Sequence, residues 1–589
     1  MDIVQLRYIK EWISQLPPGN ITYKTIKGKK YPYYQWTEDG KQHGRRVKDD
    51  ELAELTEKIE QRKTLEKKLK DSGATTDLLD EKFFFSSVKT DKELLDFVAT
   101  VKNYKKRNCY KNLHEYIYGN STDRVFILYG LRRTGKTTLI RQLIAEMSEE
   151  MLMQTVFMQI NSTIDLAKLN IDLKQLSKMG YRYVFIDEVT LMNDFIDCAA
   201  LFSDVYASSG MKIVLSGTDS LGFLFSEDNE LYDRCFMTHT TFIPYAEFEN
   251  VLGIKGIDEY IRYGGTMSLG GINYNQSGMT FATKESTEEY INSAIARNIQ
   301  HSLKNYQNGE HFRNLVELYD ANELTSAINR IVEDINHRFT IEVLTKDFVS
   351  SDLSLSAKNL LRDGEQSNDV LYRVDKHEVT ENLRKLLEIK NKPEQSVNIT
   401  EAHKAEIKQY LDMLDLTVEL ETVSMTNLNK KEKRTAISQP GMRYAQAEAL
   451  IKTLMRDDVF RMLSLTERNH VTERILSDVR GRMMEDIVLL ETKMAKPNCE
   501  VFKVVFAKGE FDMVVFDPEK ANCSIYEIKH STKSVPEQYK HLADETKCEE
   551  TKFRFGNITG KYVIYRGESH ETNGIRYVNV EEYLRNLVS

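Results

Sequence analysis

Apolar residues follow two different periods along this chain, and the clearest change from one to the other lies near residue 130. An uninterrupted apolar run, Val-Phe-Ile-Leu-Tyr at 125–129, predicts a buried strand. After a polar loop, apolar residues recur at helical spacing at Leu139, Leu143, Ile144 and Met147. A strand, a loop bounded by glycines and an amphipathic helix are therefore predicted in that order.

The same alternation continues after this unit. Further apolar strands are predicted at 155–160, 183–187 and 212–216, and helical spacing of apolar residues dominates 245–340. Strands that alternate with helices indicate an α/β core built on a parallel sheet. We therefore predict a linker and an α/β core at 76–244, followed by a helical lid at 245–340.

The first 75 residues show a different pattern. Strand-forming residues between 21 and 48 are interrupted by turns, which predicts a small antiparallel sheet, and 50–71 predicts a highly charged helix. Basic residues in the sheet region outnumber Glu38 and Asp39 by six; they are Lys24, Lys27, Lys29, Lys30, Lys41, Arg45, Arg46 and Lys48. Basic strands interleaved with aromatics favour either a nucleic-acid surface or a solvated basic face over an aromatic core. The helix fits either a short coiled coil or a spacer.

Two further regions are predicted after the lid. Residues 341–455 show the pattern of a winged helix, with a helix at 401–416, an alternating strand at 417–423, a basic turn at 427–434 and a helix at 444–455. A winged helix can bind DNA in the major groove or pack between domains. Residues 456–589 mix strands and helices, which predicts a C-terminal α/β domain.

Composition and charge limit the functional classes. The 589 residues are 41% hydrophobic and 29% charged, with a formal net charge of −9. This balance excludes a uniformly basic coat, so any nucleic-acid contact must come from local basic patches. The six Cys residues form no C-x-x-C motif, which fits a reducing cytoplasm. The start lacks signal-peptide features and no apolar run is long enough to span a membrane, so a cytoplasmic protein without membrane partners is expected.

The loop after the first core strand carries the chemistry of phosphate binding. Residues 130–137 match G-x-x-x-x-G-K-[ST], in which Gly130 and Gly135 let backbone N–H groups face phosphate. Lys136 is expected to reach the β- and γ-phosphates of ATP, and the Thr137 hydroxyl to ligate Mg²⁺.

Acidic residues at a second strand support this prediction. The strand at 183–187 ends in Asp187 and Glu188. Asp187 is expected to hold Mg²⁺, and Glu188 to polarise the attacking water as a general base. At the tip of the strand at 212–216, Thr218 and Asp219 are candidates for sensing the γ-phosphate.

The loop Gly130-Leu-Arg-Arg-Thr-Gly-Lys-Thr137 resembles the G-x-R-R-x-G-K-T loop of a group of prokaryotic AAA+-related ATPases. That group fuses the ATPase to a winged helix and a C-terminal restriction-endonuclease-like domain. Further similarities are the pair Asp187-Glu188, the segment from Arg234 to Phe248, Tyr263-Gly-Gly265 and Gly441-Met-Arg-Tyr444. The resemblance covers residues 110 to 589 and leaves the N-terminal module unexplained.

The resemblance also implies roles for individual residues and a possible assembly. Thr134 and Thr138 would complete the nucleotide-binding loop, and Arg234 would act as an arginine finger or sensor. Arg132 and Arg133 would meet phosphate or a neighbouring subunit, or else belong to a solvated basic loop. A homo-oligomer formed through the ATPase core is expected.

The C-terminal region holds a second candidate site. Asp512 lies on one predicted strand, and Glu527 and Lys529, two residues apart on another, share one face. Two carboxylates on adjacent strands can bind Mg²⁺, and Lys529 can steady or deprotonate an attacking water. This D…E-x-K pattern resembles that of PD-(D/E)xK nucleases, in which a helix acid, here Glu485, completes the catalytic and metal site. E-x-K alone is typical of a salt-bridged surface, and such a fold can also bind without cleaving.

These patterns predict an α/β multidomain protein. It has a P-loop ATPase core with a helical lid, a winged helix, a C-terminal restriction-endonuclease-like domain and a small N-terminal β-rich module with a charged helix. The expected function is ATP hydrolysis coupled to Mg²⁺-dependent cleavage of nucleic acid, DNA rather than RNA, in defence against foreign or mobile DNA. The alternative is a nucleotide switch or scaffold whose nuclease fold only binds. The expected cofactors are ATP and Mg²⁺.

Overall fold

The computed structural model describes most of the chain, and its strands form three sheets within the described residues. Apart from a few single positions, these residues are 16–26, 28–38, 41–71, 84–192, 199–218, 233–267, 283–305, 312–349, 397–426, 431–456 and 464–587. The prediction for Asp219 and that for the tip of the basic turn, 427–430, lie outside them.

The first sheet is small and antiparallel. Its strands are β1 (Asn20–Ile26), β2 (Lys29–Glu38) and β3 (Lys41–Arg46), in that spatial order, and α1 (Asp49–Asp71) follows. Tyr34 packs against Val47, Leu55 and Ile59, so α1 covers one face of the sheet. A small sheet and a charged helix thus lie where the sequence pattern placed them.

The second sheet is the ATPase core. Its spatial order is β4 (Ser87–Lys89), β6 (Thr155–Gln159), β7 (Tyr183–Asp187), β8 (Lys212–Gly217), β5 (Val125–Tyr129) and β9 (Cys235–His239). Only β4 runs antiparallel to its neighbour among these described strands. The central strands are buried because helices cover both faces of the sheet. The predicted parallel-sheet P-loop core is confirmed.

Helices surround this sheet and continue into the segment predicted as a lid, for which we keep the name lid. The core helices are α2 (Asp91–Ala99), α3 (Tyr110–Tyr118), α4 (Lys136–Glu146), α5 (Glu149–Met153) and α6 (Leu166–Lys178), with short turns at Val189–Leu191 and Phe202–Ala207. The lid helices are α7 (Tyr245–Leu252), α8 (Ile257–Tyr263), α9 (Lys284–Tyr290), α10 (Arg297–Asn305), α11 (Arg313–Asp320) and α12 (Leu324–Val349). A π-helical turn, Ile291–Ala296, joins α9 to α10. The boundary predicted between residues 340 and 341 falls inside α12.

The third sheet contains the C-terminal strands and the hairpin predicted as a wing. Its order is β11 (Lys431–Ile437), β10 (Thr417–Ser424), β12 (Glu500–Val505), β13 (Glu510–Asp517), β14 (Asn522–Lys529), β15 (Asn557–Tyr565), β17 (Ile575–Asn579) and β16 (His570–Thr572). Because β10 pairs in parallel with β12, the hairpin belongs to the C-terminal sheet. The predicted division at 455 and 456 therefore does not separate two sheets.

Helices of the last two regions pack on this sheet and join it to the lid. They are α13 (Glu401–Met413), α14 (Pro440–Leu454), α15 (Leu465–Ala495), α16 (Glu545–Phe555) and α17 (Val580–Asn586), and a 3₁₀ turn spans Pro536–Tyr539. One hydrophobic core contains Phe248 of the lid, Ile451 of α14, Val488 of α15 and Ile528 of β14. Since one core spans these elements, lid and C-terminal sheet are packed directly on each other.

Candidate nucleotide and nuclease sites

The loop after β5 forms the first site. Gly130 and Gly135 have φ angles of 136° and 90°, which residues with a side chain rarely adopt. A Cβ on Gly130 would also lie 2.6 Å from Thr240 Oγ1. Gly135 directly precedes Lys136, the first residue of α4. The loop therefore leads into a helix N-terminus, which favours phosphate.

Three predicted nucleotide-site side chains meet at this N-terminus. The buried Lys136 Nζ donates hydrogen bonds to the carbonyls of Gly130 and Leu131, each at 2.8 Å. Burial lowers the pKa of Lys136 to about 8. Thr137 Oγ1 donates to Asp187 Oδ2 at 2.8 Å, so the hydroxyl and carboxylate oxygens that suit Mg²⁺ are adjacent. Thr138 lies half-buried in the first turn of α4.

Glu188 and Thr218 complete the polar edge of the site. Asp187 Oδ1 accepts hydrogen bonds from Glu188 N at 3.1 Å and from Ser216 Oγ. Thr218 Oγ1 donates to Glu188 Oε2 at 3.2 Å. Burial, and then the charge of Asp187, raises the pKa of Glu188, which makes its carboxylate a better proton acceptor. This arrangement fits a general base oriented by the predicted sensor residue.

The two loop arginines are exposed, and the lid supplies a further arginine. Arg132 borders a cavity of about 380 Å³ together with Thr218, Arg297 and Asn298. Asn298 Nδ2 donates to the Thr218 carbonyl at 2.5 Å, which ties α10 to the tip of β8. Arg297 lies outside any local motif, so sequence reasoning missed it. Arg133 instead uses its carbonyl to accept a bond from Met267 N at 2.8 Å.

A buried ion pair holds the loop in place. Arg107 donates from Nε and Nη2 to the two carboxylate oxygens of Glu247 at 3.1 and 3.0 Å, and both side chains are at most 5% exposed. Its Nη1 donates to the carbonyls of Thr134 and Thr240 at 2.6 and 2.8 Å. The buried Thr134 Oγ1 donates to the Leu131 carbonyl at 2.8 Å. Arg107 was not predicted, because no local pattern marks a partner 140 residues away.

Arg234 does not belong to this site within the chain. Its carbonyl accepts from Val125 N at 3.0 Å, so it lies at the amino end of β5. The nucleotide loop follows the other end, five residues and about 16 Å away. Its side chain pairs with Asp204 at 2.9 Å. Arg234 therefore lies away from the nucleotide loop of its own chain, and its role as an arginine finger or sensor stays a prediction.

The second site lies at one end of β13 and β14. Lys529 Nζ lies 2.7 Å from Asp512 Oδ2 and 2.6 Å from Glu527 Oε2. Ile528 N also donates to Asp512 Oδ2, at 2.8 Å. Glu527 Oε1 is buried and has no hydrogen-bond partner in the described structure. Such an oxygen is costly to bury unless it is protonated or meets a cation.

Glu485 faces these residues from α15, and a second lysine lies beside it. Glu485, Lys529 and Gln538 line one cavity of about 470 Å³. Lys503 Nζ lies 2.6 Å from Glu510 Oε1 and 3.8 Å from Glu485 Oε2. Lys503 was not predicted, although a single lysine inside the apolar strand Glu500–Val505 was a usable signal.

The predicted set of three metal-binding carboxylates is not preformed. Within the described parts of the chain, no group of three or more His, Cys, Asp and Glu side chains forms a metal site. The reason is that Lys503 and Lys529 lie between Glu485, Asp512 and Glu527. Asp512 and Glu527 still supply the hard oxygen ligands that Mg²⁺ prefers, and the unpartnered Glu527 Oε1 supports that fit.

The electrostatics disfavour a negative charge on Glu527. Burial, and then Asp512, raises the pKa of Glu527 to about 9 and raises that of Glu485 as well. Burial opposes ionisation of Asp512, but Lys529 and Lys503 hold its pKa below the ordinary value. A cation beside Glu527 would therefore be favoured.

Hydrogen bonds connect the two sites. Tyr290 OH donates to the Arg132 carbonyl at 3.3 Å, and Gln439 Nε2 donates to Tyr290 OH at 3.2 Å. Gln439 directly precedes α14, on which Arg443 donates to Asp486 Oδ2 at 2.7 Å. Asp486 is the neighbour of Glu485 on α15. A continuous path therefore runs from the nucleotide loop to the helix that bears Glu485.

A second contact joins the lid directly to the nuclease-like site. His530, which follows Lys529, lies with Nε2 2.7 Å from Asp258 Oδ1 on α8. Asp258 also pairs with Arg566 at 2.5 Å. Burial opposes the charge on Asp258, but its bond to His530 and the charge of Arg566 lower its pKa. A movement of α8 would therefore displace His530, the residue next to Lys529.

A match to a known protein family covers the residues of the nucleotide site. Residues 122–249 match the family model described as an AAA domain. The chain therefore contains an AAA-type P-loop ATPase domain. Residues 2–57 match a domain of unknown function, DUF6788. Comparison with curated proteins gave no match.

Two solved structures show distant likeness. A structure of Aeropyrum pernix ORC1 protein in complex with DNA is 14% identical, with a TM-score of 0.22, and the match covers 64% of this chain and 99% of that one. The C. elegans PCH-2 structure is 18% identical, with a TM-score of 0.16, and the match covers 27% of this chain. The chain spans 45% of the length of PCH-2. At these TM-scores neither likeness carries a functional argument.

None of the described helices is both long enough and apolar enough to cross a bilayer.

Proposed function

We propose that this protein is an ATPase coupled to a Mg²⁺-dependent nuclease that cleaves DNA. The observation that carries the nuclease part is the grouping of Asp512, Glu527 and Lys529, with one buried Glu527 oxygen left without a partner. A salt-bridged strand surface would leave these groups in solvent, whereas Asp512 and Glu527 are each 2% exposed. Burial of charged groups at this cost is typical of functional sites.

The residues divide the work between the two sites. At the nucleotide site Lys136 binds phosphate, Thr137 and Asp187 hold Mg²⁺, and Glu188 accepts a proton from the attacking water. At the nuclease site Asp512 and Glu527 hold Mg²⁺, and Lys529 orients the water and offsets phosphate charge. Bound Mg²⁺ supplies electrophilic activation of phosphate oxygens at both sites. Glu485 lines the same cavity as Lys529 and helps to position Lys503, whose Nζ lies 3.8 Å from Glu485 Oε2.

The biological role that we infer is defence against foreign or mobile DNA, which rests on the combination of the two sites. A nucleotide switch or scaffold is the second candidate. It is favoured by the two lysines, Lys503 and Lys529, that already neutralise the carboxylates, because a site balanced in this way can persist without a metal.

The test is cleavage of plasmid, linear DNA and RNA by purified full-length protein, with Mg²⁺ and with or without ATP. Asp512→Ala and Lys529→Ala should abolish cutting and leave ATP turnover intact. Asp517→Ala is the matched control, because Asp517 lies at the opposite end of the same strand and pairs with the exposed Lys520 at 2.8 Å. DNA cutting that survives Asp512→Ala, or no cutting by the wild type under any condition, would favour the scaffold.

A further inference from the structure

The N-terminal sheet has one face covered by α1 and one face on which no described element packs, which we call the open face. Residues directly paired across antiparallel strands share a face. Tyr34 packs toward α1, so its partners Ile21 and Arg45 lie on the covered side. The alternating residues form the open face, which we define as Thr22, Lys24, Lys29, Tyr31, Tyr33, Gln35, Thr37, Gln42, Gly44 and Arg46.

The open face is basic. It carries Lys24, Lys29 and Arg46, and none of its defined positions is acidic. On the covered side, by contrast, Arg45 is neutralised by Glu51 of α1, with Nη1 2.9 Å from Oε2. The defined residues of the open face therefore carry three positive charges and no negative charge, although the whole chain has a net charge of −9. A polyanion is the complementary partner.

The aromatic rings of this face are already covered by its own cations. Lys24 Nζ lies 4.7 Å from the centre of the Tyr33 ring, and the Arg46 guanidinium lies 3.9 Å from that of Tyr31. Cation–π contacts hold the charged groups in place. Rings covered in this way are poor platforms for unstacked bases, which single-strand recognition requires. The face therefore fits a duplex better than a single strand.

The shape and the amides of the face point to the major groove of DNA. The major groove, ~12 Å wide, admits a two-stranded β-ribbon, so the antiparallel ribbon of β2 and β3, which carries Gln35 and Gln42, can enter it. Gln35 and Gln42 can donate to and accept from base edges, and Thr22 Oγ1 positions Gln35 by donating to Oε1 at 3.1 Å. The major groove of duplex RNA is too deep and narrow for such reading.

We propose that the open face docks in the major groove of duplex DNA, with Lys24, Lys29 and Arg46 on phosphates and Gln35 and Gln42 at base edges. The proposal rests on the proposed function in that the partner is DNA, but it requires no cleavage. It assigns substrate recognition to the N-terminal module and leaves cutting to the C-terminal sheet.

The test is binding of full-length protein to labelled duplex DNA, single-stranded DNA and duplex RNA of one sequence, in EDTA so that no strand is cut. Lys24→Ala/Arg46→Ala should weaken duplex DNA binding by roughly tenfold at low salt. Loss of two phosphate contacts should also reduce the salt slope by about 1.8. Lys30→Ala/Lys41→Ala is the matched control: it removes the same charge from exposed residues on the covered side and should have little effect.

A second variant tests base reading. Gln35→Ala/Gln42→Ala should keep the salt slope and lose the sequence enrichment that the wild type shows when it selects from a random duplex pool. Three outcomes would each overturn the proposal. Lys24→Ala/Arg46→Ala could leave duplex DNA binding unchanged, or it could weaken binding no more than Lys30→Ala/Lys41→Ala does. The wild type could also bind single strands or duplex RNA more tightly than duplex DNA. Because binding is measured in EDTA, a failed nuclease assay and a failed binding assay are distinguishable.

Discussion

At the scale of single residues, Lys136 shows how the nucleotide site is set for its ligand. Its ammonium is held by two carbonyls of its own loop, in a buried position where charge is costly. A bound phosphate would replace these carbonyl dipoles with a full negative charge beside the ammonium. This charge would keep Lys136 protonated. Nucleotide phosphate should therefore stabilise the charge of the buried Lys136 more than it would stabilise that of an exposed lysine.

A pH dependence of nucleotide binding follows. With the pKa of free Lys136 at about 8, affinity should be constant below pH 8 and fall by up to about tenfold per pH unit above it, because binding then requires uptake of a proton. Titration with a fluorescent nucleotide at several pH values measures this. Lys136→Arg should flatten the profile and Lys136→Ala should weaken binding at every pH; a flat wild-type profile would contradict the assignment.

Glu188 is the second residue for which we propose a chemical task. Glu188→Gln keeps the shape of the side chain but cannot accept the proton of the water, so turnover should fall by at least about 100-fold while nucleotide binding remains. Steady-state ATP hydrolysis and nucleotide titration measure the two effects. Glu150→Gln, at an exposed glutamate on α5, is the control. Equal turnover in wild type and Glu188→Gln would remove Glu188 from the mechanism.

At the scale of elements, α15 is the support of the nuclease-like site. It bears Glu485 and is fixed through Asp486, which lies 2.7 Å from Arg443 and also contacts Arg434. Asp486 and Arg443 are 3% and 4% exposed in this pair, so each charge depends on the other. Burial opposes the charge, but Arg434, Arg443 and Arg482 keep the pKa of Asp486 below its ordinary value.

Breaking this pair should destabilise the C-terminal half. Asp486→Asn leaves Arg443 buried without a counter-charge, and we expect a loss of about 3–5 kcal/mol in the free energy of unfolding. Denaturant unfolding followed by circular dichroism measures the loss. Asp478→Asn changes an exposed position of the same helix and should cost less than about 0.5 kcal/mol. Similar losses in the two variants would show that the buried pair adds no more to the free energy of unfolding than an exposed aspartate does.

At the scale of the whole molecule, the lid lies between the two chemical sites and contacts both. Tyr290 links the nucleotide loop to Gln439 at the start of α14, and Asp258 links α8 to His530 beside Lys529. Contacts of this kind transmit a change only if the connected elements have two arrangements that nucleotide binds unequally. The path supplies the physical connection that such coupling needs.

We expect nucleotide to change the rate of DNA cutting by about tenfold, equivalent to about 1.4 kcal/mol of coupling. Tyr290→Phe removes the hydroxyl between Arg132 and Gln439 and should bring the rates with ATP, with ADP and without nucleotide together. Tyr116→Phe, which removes another buried hydroxyl from the ATPase core, should not. If wild-type cutting is the same in all three states, the two sites are only tethered.

The sequence by itself determined the parts of this protein whose chemistry lies within one element or at one strand tip. Lys136 and Thr137 follow a strand and open a helix, Asp187 and Glu188 end a strand, and Glu527 and Lys529 share a face because strand side chains alternate. For such groups, spacing along the chain fixes spacing in space. Local spacing is therefore enough to predict the ATPase core and the position of the two candidate sites along the chain.

Only the tertiary structure decided which distant residues meet. It paired Arg107 with Glu247, brought Lys503 between the carboxylates, joined the predicted wing to the C-terminal sheet and placed Arg234 at the far end of β9 from the nucleotide loop. These outcomes depend on strand order and on the packing of one core across lid and sheet. Neither leaves a periodic signal in the chain, because a contact between distant residues is set by the burial of whole surfaces and not by local spacing.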